Sequence, residues 1–368
     1  MPQTIAQRES LVLWNVRIYS ETGHRNKENP EKYMLNLDNP ELKFAVNAVR
    51  RASLLVQQVQ AEMVSAALTK DDRSPVTVAD FAAQALIGCL LEESFPDDPL
   101  IGEEDSAVLQ TPGERTTLER ITRFVGQYAP DATPESVCRW IDRGSASSGV
   151  RYWTLDPIDG TKGFLRGDQY AVALALVVDG VVQVGVLGCP NLAMNGKQGA
   201  GSLVVAARGE GTWATPVEGE TTFTRLAVSS QNDPAQARLL RSFESGHTNV
   251  SQIDIFAEKL GVQAKPVRMD SQAKYAVLAA GEGELYLRLL SPSRPNYREK
   301  VWDQAAGAIV IEEAGGKVTD LDGKPLDFTQ GRTLANNRGI CASNGILHDA
   351  ALGALKEIAE ETKQRALP

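Results

Sequence analysis

The chain has 368 residues, 42% apolar and 23% charged, with a formal net charge of −9. That length exceeds what one small core usually serves, so two domains or one large two-lobed domain is expected. The acidic balance, with no Lys/Arg run, argues against nucleic acid or an anionic membrane as the main partner.

The four cysteines, Cys89, Cys138, Cys189 and Cys341, are far apart and form no C-x-x-C. They read as small core residues in a reducing compartment. No apolar run approaches the ~20 residues that cross a bilayer. Residues 1–40 carry Glu9, Glu21, Glu28, Glu31 and Asp38 and lack a signal-peptide pattern. A cytosolic protein with a polar N-terminal extension is the expectation.

From Glu41, "ELKFAVNAVRRASLLVQQVQAEMVSA" repeats apolar residues at helical spacing and predicts a long amphipathic helix. "VTVADFAAQALIGCLLEESF" predicts a second helix starting near Val78–Asp80. "LIG" then reads as a short strand with Glu103 and Glu104 at its end, and residues 111–139 as a surface insertion with one helix, "TLERITRFVGQYA". "VRYWTLDPID" is a strand running into a bend. "QYAVALALVVDGVVQVGVLGCP" is a hairpin turned at Asp179-Gly180, and "GSLVVAARGEGTWA" a second pair turned at Gly209–Gly211. Beyond residue 228 helix and strand alternate: helices in "NVSQIDIFAEKLG", "SQAKYAVLAAG" and "WDQAAGAIVIEEAG", strands in "AKPVRM", "GELYLRLL" and "GKVTDL". The division expected is an extension (1–40), an α+β lobe (41–228) and an α/β lobe (229–368).

The bend "TLDPIDGTKGF" places Asp156 and Asp159 three residues apart around Pro157, followed by Gly160-Thr161. Two carboxylates and the Ile158 carbonyl suit a hard divalent cation, and magnesium prefers oxygen ligands. Free N–H groups after Gly160 suit a phosphate. The same residues also make a plain turn. Glu103 and Asp303 are the acids able to complete a metal set. Each has an ordinary alternative, Glu103 as a solvated acid and Asp303 as a helix N-cap.

"GEED", "WTLDPIDGTKGFLRGDQYAVALAL" and "VWDQAAGAIVIEEAGGKVTD" resemble the three signature blocks of the inositol monophosphatase superfamily. "SPVTVADFAAQ", "GFLRGDQY", "DSQAKY" and "YREKVWD" resemble its 3′(2′),5′-bisphosphate nucleotidase branch. The resemblance runs from about residue 42 to 350. It implies a layered αβαβα sandwich in two lobes, lithium-sensitive and magnesium-dependent hydrolysis of 3′-phosphoadenosine 5′-phosphate, and two or three Mg²⁺ ions. It implies Glu103, Asp156, Asp159, Asp303 and the Ile158 carbonyl as metal ligands. Asp80 would orient the attacking water, with Thr161 as its hydroxyl partner. Gly160, Thr161, His247, Ser271, Lys274 and Arg288 would contact the nucleotide; Lys162 and Arg166 are further basic candidates. Without the resemblance, Lys274 and Arg288 read as surface cations and His247 as structural. A monomer acting on a small molecule, with no membrane or nucleic-acid partner, is the expected form. The loop "SPSRPN" (291–296) is longer than the pattern, which bears on preference among related bisphosphates.

Two enzyme alternatives share part of this signal. An inositol phosphate or fructose 1,6-bisphosphate phosphatase would share the metal site. A haloacid-dehalogenase-type phosphatase needs Asp-x-Asp-Gly-Thr, whereas here the spacing is Asp-x-x-Asp-Gly-Thr. A non-catalytic nucleotide sensor is the alternative of another class; the presence of Asp80, Glu103 and Thr161 argues for an enzyme.

Overall fold

A computed structural model describes residues 35–64, 74–194, 201–219, 221–242, 250–291, 294 and 296–365. Helix α1 (Pro40–Val59) starts where Asn39 accepts the Leu42 N–H at 3.0 Å and Pro40 fills the first turn. It continues as one wider turn through Gln60–Val64. Helix α2 (Ser74–Ser94) begins four residues before the expected start at Val78, so Asp80 lies inside the helix. By length and composition Pro75–Ser94 qualifies as a membrane span, contrary to the sequence expectation, but 89% of its apolar window is buried in the core.

Strand β1 (Leu100–Gly102) follows, then α3 (Arg115–Val125) and α4 (Pro134–Asp142). The expected single-helix surface insertion is therefore two helices. Ile121, Phe124, Val125, Val137 and Ile141 are all fully buried, so this segment completes the core. A Thr133–Ser136 capping box starts α4.

Next come β2 (Arg151–Asp159), α5 (Thr161–Arg166), β3 (Ala171–Val178), β4 (Val181–Cys189), β5 (Ser202–Ala207), β6 (Gly211–Pro216) and β7 (Thr224–Leu226). Strands β1 to β7 form a seven-stranded sheet in chain order. The β3–β4 turn has Asp179 at φ 52° and Gly180 at φ 73°, the positive pair that a two-residue hairpin needs.

The second half contains β8 (Leu239–Arg241), α6 (Val250–Leu260), β9 (Val267–Arg268), α7 (Ala273–Ala279), β10 (Leu285–Arg288), α8 (Ala305–Glu313), β11 (Lys317–Thr319), β12 (Ile340–Ser343) and α9 (His348–Arg365). Its five-stranded sheet runs β11-β12-β10-β8-β9.

Three cores lie between the layers. Trp153 and Leu155 of β2 and Val172, Leu174 and Leu176 of β3 pack toward α1 and α2. The opposite faces meet α7 and α8, which also cover the small sheet. Helices α6 and α9 pack on that sheet's far side. The result is the layered αβαβα order. Strands apolar on both faces read as unbroken hydrophobic runs, as β3 and β4 do.

The strand face toward α8 is small: Ala171, Ala173 and Ala175 all belong to that core. Gly185 marks the closest approach, where a Cβ would sit 2.4 Å from Ile309 Cγ2 and 3.0 Å from the Ala306 carbonyl oxygen. Gly185→Ala should therefore push α8 away and cost ~1–3 kcal/mol. The check is a lowered urea midpoint; a wild-type midpoint would refute the close contact.

Candidate active site

Strand pairing brings two acids together. β1 runs parallel to β2 with Gly102 opposite Leu155, so Glu103 leaves the sheet beside Asp156. Opposite β3, Asp156 pairs with Ala173 and Asp159 with Ala171, which leaves one extra residue on β2. The D-P-I-D segment is thus a bulge at a strand end, and Pro157 is tolerated because a bulge does not need its N–H. The plain-turn alternative does not describe this geometry.

Gly160 follows at φ +94° and opens α5. A Cβ there would meet Ser271 Cβ at 2.8 Å. Ser271 is itself left-handed, at φ 68°. A non-glycine residue held there is strained, and such strain collects at functional sites. Its Oγ accepts the Ala273 N–H at 3.1 Å, tying the strained turn to the start of α7.

One cleft of about 520 Å³ gathers Glu103, Asp156, Ile158, Asp159, Gly160, Thr161, Ser271, Lys274, Arg288 and Asp303. These are all the expected site residues except Asp80 and His247. His247 lies outside the described residues. Asp80 sits behind the wall, 9% exposed. Its carboxyl is held well above the usual range by burial, then by Glu104 and Glu103.

The acids influence one another strongly. Burial, with Glu103, Asp159, Asp303 and Asp80 nearby, raises the Asp156 carboxyl well above its ordinary value. Burial and then Asp303 bring Glu103 up to about 7. Burial brings Asp303 to about 7 against the opposing pull of Arg288. Asp156 is within hydrogen-bonding reach of both Glu103 and Asp303. Its other oxygen, Oδ1, is buried with no partner. Among the described residues no three acidic, His or Cys groups close into a tight trio. The donor set is all hard oxygen, and a buried carboxylate oxygen lacks a partner, so the residues suit divalent cations.

Asp303 is not the helix cap. Gln304 holds that position without a side-chain capping bond. Asp303 instead lies 3.7 Å from Arg288, which pairs more closely with Glu299 at 2.8 Å. Glu299 also accepts from Gln304 Nε2 at 3.0 Å, and the Tyr275 hydroxyl donates to Gln304 Oε1.

Lys274 is 3% exposed and donates to Ser242 Oγ and the Met269 carbonyl, both at 3.3 Å. Burial lowers its ammonium to about 8. Lys162 lines the cleft, whereas Arg166 is committed to Asp168 at 2.8 Å and Asp270 at 2.5 Å.

Sequence reasoning missed Gln84, Ser242, Glu299 and Lys300. Gln84 lies one turn after Asp80 on α2 and is fully buried. Its amide accepts from Glu104 N at 3.0 Å and donates to the Glu104 carbonyl at 2.6 Å, locking the Asp80 helix to the Glu103 segment. The i,i+4 spacing of two polar residues on an apolar helix was the available signal. Ser242 carries no comparable signal. Of the cysteines, three are buried and Cys138 is half-buried; all four are free.

Comparison with known proteins agrees with this geometry. The model of the "Inositol monophosphatase family" matches residues 38–360. A rice "3'(2'),5'-bisphosphate nucleotidase" is 42% identical over 350 residues, covering 89% of this chain and 97% of that protein. A Schizosaccharomyces pombe protein of the same name is 41% identical, over 82% of this chain and 91% of its own length. The inositol monophosphatase structure from Anabaena sp. superposes with a TM-score of 0.58 at 23% identity, over 88% of this chain and 97% of that one. Sequence match, layered fold and convergent acids together show that the chain belongs to the inositol monophosphatase family.

Proposed function

We propose that the protein is a Mg²⁺-dependent phosphomonoesterase that hydrolyses 3′-phosphoadenosine 5′-phosphate to AMP and phosphate. The 5′-phosphosulfate relative is taken in the same way, giving adenosine 5′-phosphosulfate. The observation that carries this reading is a single cleft lined by Glu103, Asp156, Asp159 and Asp303 together with Lys274 and Arg288. A substrate with two anionic ends fits that division: one end goes to the acids with their cations, the other to the fixed cations. The names of the relatives at about two-fifths identity support the nucleotide over an inositol phosphate.

Bound Mg²⁺, as two or three ions, supplies charge neutralisation and Lewis acidity at the phosphoryl group. The protein's own residues do the rest. Glu103, Asp156, Asp159, Asp303 and the Ile158 carbonyl hold the ions. Asp80 orients the attacking water. Thr161, at the start of the helix α5 that packs against α2, orients the same water. Amides at Gly160 and Thr161 steady phosphate oxygens, and water enters opposite the departing 3′-oxygen. No phospho-enzyme forms.

The direct test is phosphate release from 3′-phosphoadenosine 5′-phosphate with and without Mg²⁺, beside inositol 1-phosphate and inositol 1,4-bisphosphate. Mg²⁺-dependent release confined to the nucleotide is expected. Faster turnover of either inositol phosphate would replace this reading.

Asp80→Asn should lower turnover by ~10²–10⁴-fold while leaving nucleotide affinity close to wild type. Isothermal titration beside kinetics separates the two; matched losses would make Asp80 structural.

The acids also set a pH dependence. Burial and neighbouring acids bring the Glu103 and Asp303 carboxyls up to about 7, well above the ordinary carboxylate range. A raised folded value means their stability contribution is complete below the unfolded value, near 4, and is lost as pH rises through about 7. With EDTA the melting temperature should fall across that window. With saturating Mg²⁺, which binds the ionised acids, the fall should shrink, so the Mg²⁺-induced rise grows with pH. A rise that is absent, or equal at pH 5 and pH 7.5, would count against the metal assignment.

A further inference from the structure

Arg332 has no place in the motifs, yet its guanidinium touches the residues that precede Glu103 and Asp303. Nη2 donates to the Gly102 carbonyl at 2.5 Å and Nη1 to the Gly144 carbonyl at 2.9 Å. The same group stacks 4.8 Å from the centre of the Trp302 ring. Gly102 immediately precedes Glu103, and Trp302 immediately precedes Asp303. One side chain therefore grips the residue before each of two acids that lie far apart in sequence.

The backbone reinforces the grip. The Arg332 carbonyl accepts Val301 N–H at 3.2 Å, and the Glu299 carbonyl accepts Leu334 N–H at 2.9 Å. Segment 332–334 thus runs along the chain leading to Asp303. Its loop is anchored by fully buried Asp320, which accepts from the amides of Asp322 and Lys324, each at 2.9 Å. The Tyr152 hydroxyl of β2 adds a 2.6 Å bond to the Phe328 carbonyl. The guanidinium is therefore held in place before any ligand arrives.

Resting on the metal-site reading above, we propose that Arg332 is a positioning residue that sets the spacing between Glu103 and Asp303, and so the fit for Mg²⁺. Mg²⁺ demands near-ideal octahedral geometry with short bonds, whereas Ca²⁺ accepts longer and irregular ones. A loosened spacing penalises Mg²⁺ first. Lysine cannot replace the group, because it lacks the rigid fork that donates twice while stacking on a ring.

The test compares wild type with Arg332→Lys and Arg332→Met by thermal melting, titrating Mg²⁺ or Ca²⁺ without substrate. Both variants should raise the half-saturating Mg²⁺ concentration about tenfold or more and shift the Ca²⁺ midpoint much less. If Arg332→Met does not fold, Arg332→Lys, which keeps the charge, gives the same reading. Variants that melt lower in EDTA but keep the wild-type Mg²⁺ midpoint would overturn the inference and leave Arg332 purely structural. Equal shifts for both ions would overturn it too. A wild-type protein whose melting ignores Mg²⁺ would defeat the metal-site reading itself, and this inference with it.

Discussion

Carboxylates gathered in one place repel one another, and this cleft brings Glu103, Asp156, Asp159 and Asp303 together. Asp156 is 2% exposed and has Glu103, Asp159, Asp303 and Asp80 within electrostatic reach. A protein can meet such a cost by protonating the acids or by importing positive charge. The raised proton affinities of Glu103, Asp156 and Asp303 are the first response. A divalent cation, as the proposed function requires, would be the second, and it would release the protons. On that reading, proton binding, ion binding and folding stability would be one linked equilibrium centred on the β2 bulge.

The scaffold's task is to hold these groups together against that repulsion. Each acid rides on a different element: Asp80 on α2, Glu103 after β1, Asp156 and Asp159 on β2, Asp303 before α8. Neutral hydrogen bonds stitch the carriers. Gln84 fastens α2 to the Glu103 segment, and the small-residue face beneath α8 lets that helix seat close to the sheet. Gly160 and Ser271 do the same for the bend and the turn before α7, at the cost of a strained serine backbone. None of these contacts is ionic; the charged links in the frame are Arg166–Asp270 and Arg288–Glu299.

Much of this was legible in the sequence, for identifiable reasons. Long periodic helices such as α1 and the two-residue turn at Asp179-Gly180 have strong local signals. The acid pair in the bend was visible because Asp-Pro-x-Asp-Gly is locally distinctive, and the resemblance supplied its distant partners. What failed depended on tertiary context. The start of α2 was misplaced because its early turns carry no periodic stripe; the helix is buried nearly all round. Residues 111–139 looked like a surface insertion because two short amphipathic helices resemble exposed ones until their apolar faces find the core. The cap alternative for Asp303 could not be dismissed from the sequence, because Asp before an apolar helix usually is a cap; only the fold shows Gln304 at that place. Gln84 and Ser242 gave too little, since a neutral polar residue gains meaning only from what it touches.

The cationic half of the cleft also bears on the balance. Arg288 is spoken for by Glu299 at 2.8 Å and approaches Asp303 only at 3.7 Å. Lys274 is bonded to a hydroxyl and a carbonyl, and burial has already weakened its hold on its proton. Both act on the bulge only at longer range, through Asp159. A buried charge left unpaired is costly, and moving Arg288 toward Asp303 would only transfer the cost to Glu299. On the function proposed above, bound cations would supply further positive charge at the acidic end, and Lys274 and Arg288 would be left to meet a second anionic group. That separation of mobile and fixed countercharge is what a substrate with two phosphates, only one of them to be removed, asks of a binding site.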